Sequence, residues 1–233
     1  MLVFWTLLCI DVEVGKNKNA VASTTVENTD KSAAKTIPLA LGMVMIAIIA
    51  MGMLRDGVTT WMPSYISEVY NLGNIIAILT GVVLPILGFV CFQSASIIYT
   101  KKLHNPIITA AIFFIISVVA SLSLFITSGM NAALSVVLFA ILAGCMHGVN
   151  MMLICTVPRY FKKSGKVSTV SGVLNACTYV GSALSTYGIA AIASGQGWST
   201  TLLILFILAA GGTLLTVLSA LPWYKAFGNR EFE

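Results

Sequence analysis

Three helix-spaced groups of side chains in this chain are equipped for chemistry. Arg55 has Thr59 one helical turn on, His147 has Asn150 three residues later, and Asn175 has Tyr179 at i, i+4, flanked on that face by Gly172 and Ser182. At these spacings each pair shares one face of a helix. The chemistry they suit is recognition. A guanidinium stays charged at any relevant pH and offers paired donors that match a phosphate or a carboxylate. An imidazole such as His147 titrates near neutrality and is able to carry a proton. The amides and the phenol add neutral hydrogen bonds. Nothing points to catalysis: there is no HExxH, no GxSxG and no metal-ligand cluster. "SGKVS" at 164–168 lacks the upstream glycine of a phosphate loop, and Lys166 is not followed directly by Ser or Thr. Cys9, Cys91, Cys145, Cys155 and Cys177 have neither metal-like nor disulfide-like spacing and read as small apolar residues. No enzyme activity, cofactor or metal is expected.

The elements that must position these residues are membrane helices. The 233 residues are 58% hydrophobic and only 9% charged, against about 25% charged in a soluble domain. Six apolar segments, at 37–66, 74–98, 107–127, 133–157, 167–193 and 199–222, each reach the ~20 residues that a membrane helix needs. The net charge of +5 is distributed as an orientation signal. Lys16, Lys18, Lys31 and Lys35 precede the first segment. Lys101 and Lys102 follow the second, Arg159, Lys162, Lys163 and Lys166 follow the fourth, and Lys225 and Arg230 follow the sixth. The connections at 67–73, 128–132 and 194–198 hold no Lys or Arg. This alternation is the positive-inside pattern, which puts residues 11–36 and the C-terminus in the cytoplasm and gives no reason to expect nucleic acid. The expected partners are the lipid bilayer and a small anion.

Arg55 is the one basic residue outside the pattern. It follows an uncharged run from Ile37 to Met51, and Val58, Trp61, Met62 and Ile66 continue apolar beyond it. A long first helix, with a bend allowed at Gly57 and Pro63, puts Arg55 in its middle third. The alternative is that Arg55 and Asp56 mark the outer membrane edge. His147 lies about 18 Å of helix rise from Arg159, and Tyr179 about 20 Å from Lys166, both near mid-membrane. Ionisable groups there are costly and usually face a cavity or a partner. The structural alternative is interhelical hydrogen bonding by His147, Asn150 and Asn175, and Gln93 reads as structural. Gly144, Gly148, Gly181, Gly188, Gly211 and Gly212 stand at spacings that let helices approach closely. Tyr187 and Trp198 read as outer-interface aromatics, Trp223 and Tyr224 as the inner belt. Residues 1–10 are too short to span and read as the end of a preceding transmembrane helix, or as an interfacial anchor. Residues 11–36 read as a cytoplasmic central loop, 37–225 as the six-helix bundle, and 226–233 as a cytoplasmic tail.

"LRDGVTTWMPSYISEVYNL" (54–72), with Arg55, Gly57, Trp61, Pro63, Tyr65 and Glu68, resembles the seventh-helix motif of the organophosphate:phosphate antiporters of the major facilitator superfamily. "VPRYFKKSGKVSTVSGVLNACTYVGSAL" (157–184) is similar to their loop between helices ten and eleven and the start of helix eleven. The resemblance covers residues 37 to 225. It implies an all-α membrane protein whose six transmembrane helices form the C-terminal bundle of a major facilitator transporter, in the bacterial plasma (inner) membrane, completed by a six-helix N-terminal half. It implies transport of an organophosphate in exchange for phosphate by alternating access. Arg55 matches the arginine that binds phosphate in the central cavity, and Tyr179 matches a cavity tyrosine. His147 stands where family members can carry another tyrosine, and Gly52 replaces a tyrosine one turn before the arginine. Thr59, His147, Asn150, Asn175 and Tyr179 then line the cavity beside Arg55. Two other readings stay open: a carboxylate or sugar-acid carrier of the same superfamily, and a non-transporting membrane sensor or inactive truncated half.

Overall fold

The computed structural model describes residues 31–228. Among the described residues there is no strand, and six helices are long and apolar enough to cross a bilayer. In chain order they are α1 (Lys31–Tyr70), α2 (Asn74–Thr80) with α3 (Val83–Ile98) as one interrupted span, α4 (Pro106–Ile126), α5 (Ala132–Asn150), α6 (Val167–Gln196) and α7 (Trp198–Phe227). The expectations for residues 1–10, 11–30 and 229–233 lie outside the described residues. α1 begins at Lys31, so residues 31–36, which the sequence assigns to the loop, are helical. Ala33, Ala34 and the flanking lysines are good helix formers and extend the span backwards.

Local signals fix where the helices start and stop. Asn105 caps α4: its Oδ1 accepts from the amides of Ile107 (3.0 Å) and Ile108 (3.3 Å), and Pro106 follows at the first helical position. Asn131 caps α5 in the same way, accepting from Ala133 (2.9 Å) and Leu134 (3.3 Å). α6 and α7 are separated by Gly197 alone, whose φ of +83° other residues rarely adopt. α1 runs unbroken through Pro38 and Pro63. Past Asn150, α5 widens into a π-helical stretch (Met151–Thr156) and then tightens into a 3₁₀ segment (Val157–Ser164) that carries Pro158.

Small residues decide how the helices meet. α5 packs on α3 and α4, and α4 on α7. A Cβ at Gly144 would stand 3.0 Å from the Leu87 carbonyl oxygen, and one at Gly148 would stand 3.0 Å from the Phe113 ring. Gly212 of α7 meets the ring of Phe114. α1 and α6 come closest of all. A Cβ at Gly52 would lie 2.5 Å from the Thr178 carbonyl oxygen, and Gly181 lies against the Ile49 carbonyl. The glycine reading therefore holds at 144, 148, 181 and 212. It does not hold at Gly188 or Gly211, where a Cβ would meet open space.

Aromatic clusters close the two ends of the bundle. At one end Tyr65 meets Phe139 and Trp198 edge-on, with centroids 5.1 and 5.4 Å away. Its hydroxyl bonds Ser128 (2.8 Å), that of Tyr70 bonds Ser135 (2.7 Å), and the Trp198 indole donates to Glu68 (2.8 Å). At the other end Trp223 packs between Tyr160 and Phe227. Trp223 is buried, so it belongs to the core and not to an interfacial belt, whereas Tyr224 beside it is exposed.

Gly181 and Gly188 make a matched pair for testing this packing, because they lie two turns apart on one helix. Gly181→Val should cost about 1–3 kcal/mol by forcing α6 off α1, while Gly188→Val should leave stability unchanged. Thermal unfolding of the two variants in detergent checks this.

Candidate functional site

Four apolar spans carry the residues of interest near their sequence midpoints. The first apolar span runs from residue 37 to 70, so its middle falls between residues 53 and 54, next to Arg55 and Asp56. The span from 132 to 162 is centred on residue 147, which is His147. That from 167 to 196 is centred between Gly181 and Ser182, and that from 75 to 103 on residue 89, beside Gly88. The first span rises about 51 Å, well over the ~30 Å of hydrocarbon, so Arg55 is far from either end. The Arg55–Asp56 pair therefore lies inside a continuous helix, fifteen residues before its end at Tyr70.

These residues are also joined in space. The Arg55 guanidinium donates from Nε to Asp56 Oδ1 at 2.6 Å and from Nη2 to Asp56 Oδ2 at 2.9 Å. This is a two-pronged, charge-assisted pair. The Ser182 hydroxyl of α6 donates to the same Oδ2, tying the pair across the α1–α6 contact. His147 lies within electrostatic range of both Arg55 and Asp56. Its ring rests on Gly88, where a Cβ would come 2.9 Å from Cδ2. Both members of the ion pair are partly shielded, with side chains 18% and 31% exposed. They are enclosed by protein while keeping an open side.

The other residues singled out from sequence surround this cluster without bonding to it. The Thr59 hydroxyl is turned back to the Arg55 carbonyl oxygen at 2.7 Å, so its proton is used within α1. Asn175 and Tyr179 are exposed on the face of α6 that continues to Ser182. Asn150 is half-buried where α5 passes into its π-helical stretch, a kind of local widening often found at functional sites. Among the described residues, the side chains of Asn150, Asn175 and Tyr179 hydrogen-bond to no other. Gly52 is buried against α6. No tyrosine fits there while the helices stay this close, so its departure from the antiporter pattern concerns helix packing. A cavity beyond the ion pair, lined by Gly57, Trp61, Met62, Phe139, Ile189 and Leu202 among others, offers no charged side chain.

Sequence reasoning missed Asp56 and Ser182 as members of the site. Neighbours i, i+1 point 100° apart on a helix and do not ordinarily face each other. Here the long Arg55 side chain folds sideways onto its neighbour. The available signal was the carboxylate itself, since an acid in so apolar a run needs a partner.

The family model described as Major Facilitator Superfamily matches residues 1–186 of the 233. No curated protein matches the chain.

The pairing can be tested without knowing any ligand. Asp56→Asn leaves a shielded guanidinium without its counter-charge and should destabilise the protein. Adding Arg55→Gln removes that charge, so the double variant should be about 1–2 kcal/mol more stable than the sum of the single effects predicts. A double-mutant cycle from thermal unfolding in detergent measures this coupling.

Proposed function

The chain belongs to the major facilitator superfamily of membrane transporters; from that premise we propose that it carries a small organic anion held by Arg55. The substrate class that best fits is an organophosphate, exchanged for phosphate by alternating access. One observation carries this reading. A guanidinium stands at the middle of its span, with its two-pronged edge turned to a carboxylate that occupies the position an anion would take. Tetrahedral oxyanions and carboxylates present paired oxygens that match this edge. The mid-membrane level is where transporter sites are built, because both aqueous sides reach it in turn. Tyr179 and Asn175, free and exposed on the same face of α6 as Ser182, supply hydrogen bonds to the rest of the substrate, and His147 and Asn150 line the opposite wall. A six-helix N-terminal half completes the cavity. The basic residues in alternate connections orient the C-terminus to the cytoplasm.

A second reading is a carboxylate or sugar-acid carrier of the same superfamily. It is favoured by the fact that the group now occupying the Arg55 fork is itself a carboxylate. Inorganic phosphate discriminates between the two: competition with uptake supports the organophosphate reading, and indifference to phosphate supports the carboxylate one.

Arg55→Lys keeps the charge and loses the fork. A hydrogen bond to a charged group contributes about 1.5–3 kcal/mol, so phosphate binding and exchange should fall roughly ten- to a hundredfold. The measurement is labelled-phosphate exchange by the full-length protein in proteoliposomes. Near-normal exchange by Arg55→Lys would end the assignment of Arg55 as the anion contact.

A further inference from the structure

We propose that Cys91 and Cys145 are a redox-active thiol pair, and that a hydroperoxide converts them to a disulfide that joins α3 to α5. The pair lies apart from Arg55, and the proposal does not depend on what the carrier transports.

Sequence spacing gives no hint of this pair, because its members lie on separate helices and only folding brings them together. Of the four described cysteines, Cys91 and Cys145 are the two whose thiols hydrogen-bond each other. The contact is built into the helix crossing. Gly144, the neighbour of Cys145, lies so close to α3 that a Cβ there would stand 3.0 Å from the Cys91 sulfur and 3.0 Å from the Leu87 carbonyl oxygen. One turn before Cys91, Gly88 carries the His147 ring, with a Cβ there 2.9 Å from Cδ2. Leu84, Gly88 and Ala95 are buried along the same face of α3. A disulfide needs two side chains that face each other across a short backbone separation. Glycine at a membrane-helix crossing supplies that separation.

Burial assigns the two thiols different roles. Cys145 is only 2% exposed, whereas Cys91 is half-buried. The residues beside Cys91 in sequence, Phe89, Val90 and Phe92, are exposed and apolar. The surface next to Cys91 is therefore one that an apolar molecule meets first. The oxidant that suits it is an organic hydroperoxide, such as an oxidised acyl chain. Cys91 is the attacking thiol, and Cys145 is the resolving one, held in contact behind it.

The reaction balances in two steps. The Cys91 sulfur attacks the hydroperoxide: an S–O bond forms, the O–O bond breaks, and the alcohol leaves with the Cys91 proton. Cys91 is then a sulfenic acid. The Cys145 sulfur attacks it: the S–S bond forms, the S–O bond breaks, and water leaves with the Cys145 proton. The two sulfurs together lose two electrons, and the hydroperoxide is reduced to an alcohol and water. A thiol reductant reverses the link by exchange. The pair thereby converts oxidation of the surrounding membrane into a reversible covalent tie between α3 and α5, at the contact that seats His147 on Gly88.

The test treats the full-length protein in detergent with cumene hydroperoxide, blocks the remaining thiols by alkylation and maps the peptides by mass spectrometry. The Cys91 and Cys145 peptides should emerge linked as the major oxidised species, and dithiothreitol should separate them. Two variants read the order of attack in the presence of dimedone, which tags sulfenic acids. In Cys145→Ala the oxidation stops at Cys91, which should take the tag. In Cys91→Ala the buried Cys145 should stay untagged. No linked peptide in the wild-type protein, or a bond from Cys91 to any other cysteine, overturns the proposal. So does a tag on Cys145 in Cys91→Ala, or an untagged Cys91 in Cys145→Ala. The wild-type peptide map decides the matter even if a variant does not fold.

Discussion

A charge at the middle of a membrane helix has to be neutralised close by, and in this protein the Arg55–Asp56 pair meets that constraint within two consecutive residues. The packing of the first and fifth spans follows from the same need. Ser182 reaches Asp56 only because α1 and α6 nearly touch, and they nearly touch because Gly52 and Gly181 carry no side chain at the crossing. Helix packing and site chemistry are thus one arrangement. A larger residue at either glycine would pull Ser182 away from the carboxylate and strip the pair of its third member.

The coarse architecture is legible in the sequence because lipid imposes it. With no water to satisfy backbone groups, six apolar runs of this length have one stable form, and Asn105 and Asn131 announce two helix starts through their side chains. Finer features are legible to different degrees. Spacing shows that Gly181 and Gly188 share a face of α6, but it does not show that α1 crosses at one of them and leaves the other open. Trp223 has the composition and position of an interfacial aromatic. It is buried because Tyr160 packs on it from a distant segment while Phe227 covers it from one turn further along α7, and the first of these contacts no local pattern records. Residues 31–36 look like loop by polarity and are helical by propensity.

The candidate site divides along the same line. Arg55 and His147 stand out as ionisable groups in apolar runs, and each lies close to the midpoint of its apolar span. Their partners are hidden for physical reasons. Asp56 is next to Arg55 in sequence, the spacing at which helical side chains ordinarily diverge, and Ser182 is one small hydroxyl among many. Gly52 shows the opposite error. It looks like a lost cavity tyrosine beside the arginine, but it lies in a helix crossing that tolerates nothing larger. The asymmetry of the site then makes sense. One wall is backbone held close by glycine, and the other is the exposed α6 face carrying Asn175 and Tyr179.

The strength of the internal pair bears on what the site is able to transport. An unpaired cation at mid-depth would bind any small anion tightly and would be unable to reorient empty, so its natural mode would be strict exchange. A cation already held by its neighbour behaves differently. On the proposed reading, an anion meets Arg55 beside a carboxylate that already fills one edge of its guanidinium, so the site attracts it less strongly than a bare cation would. A reduced affinity also helps release on the far side, since a carrier must bind well enough to select and weakly enough to let go. On the proposed reading the substrate brings contacts beyond its charged end, and Asn175 and Tyr179, exposed on the neighbouring face, supply them. On the proposed reading, selectivity arises less from the arginine, which any oxyanion satisfies, than from the contacts a substrate makes beyond it.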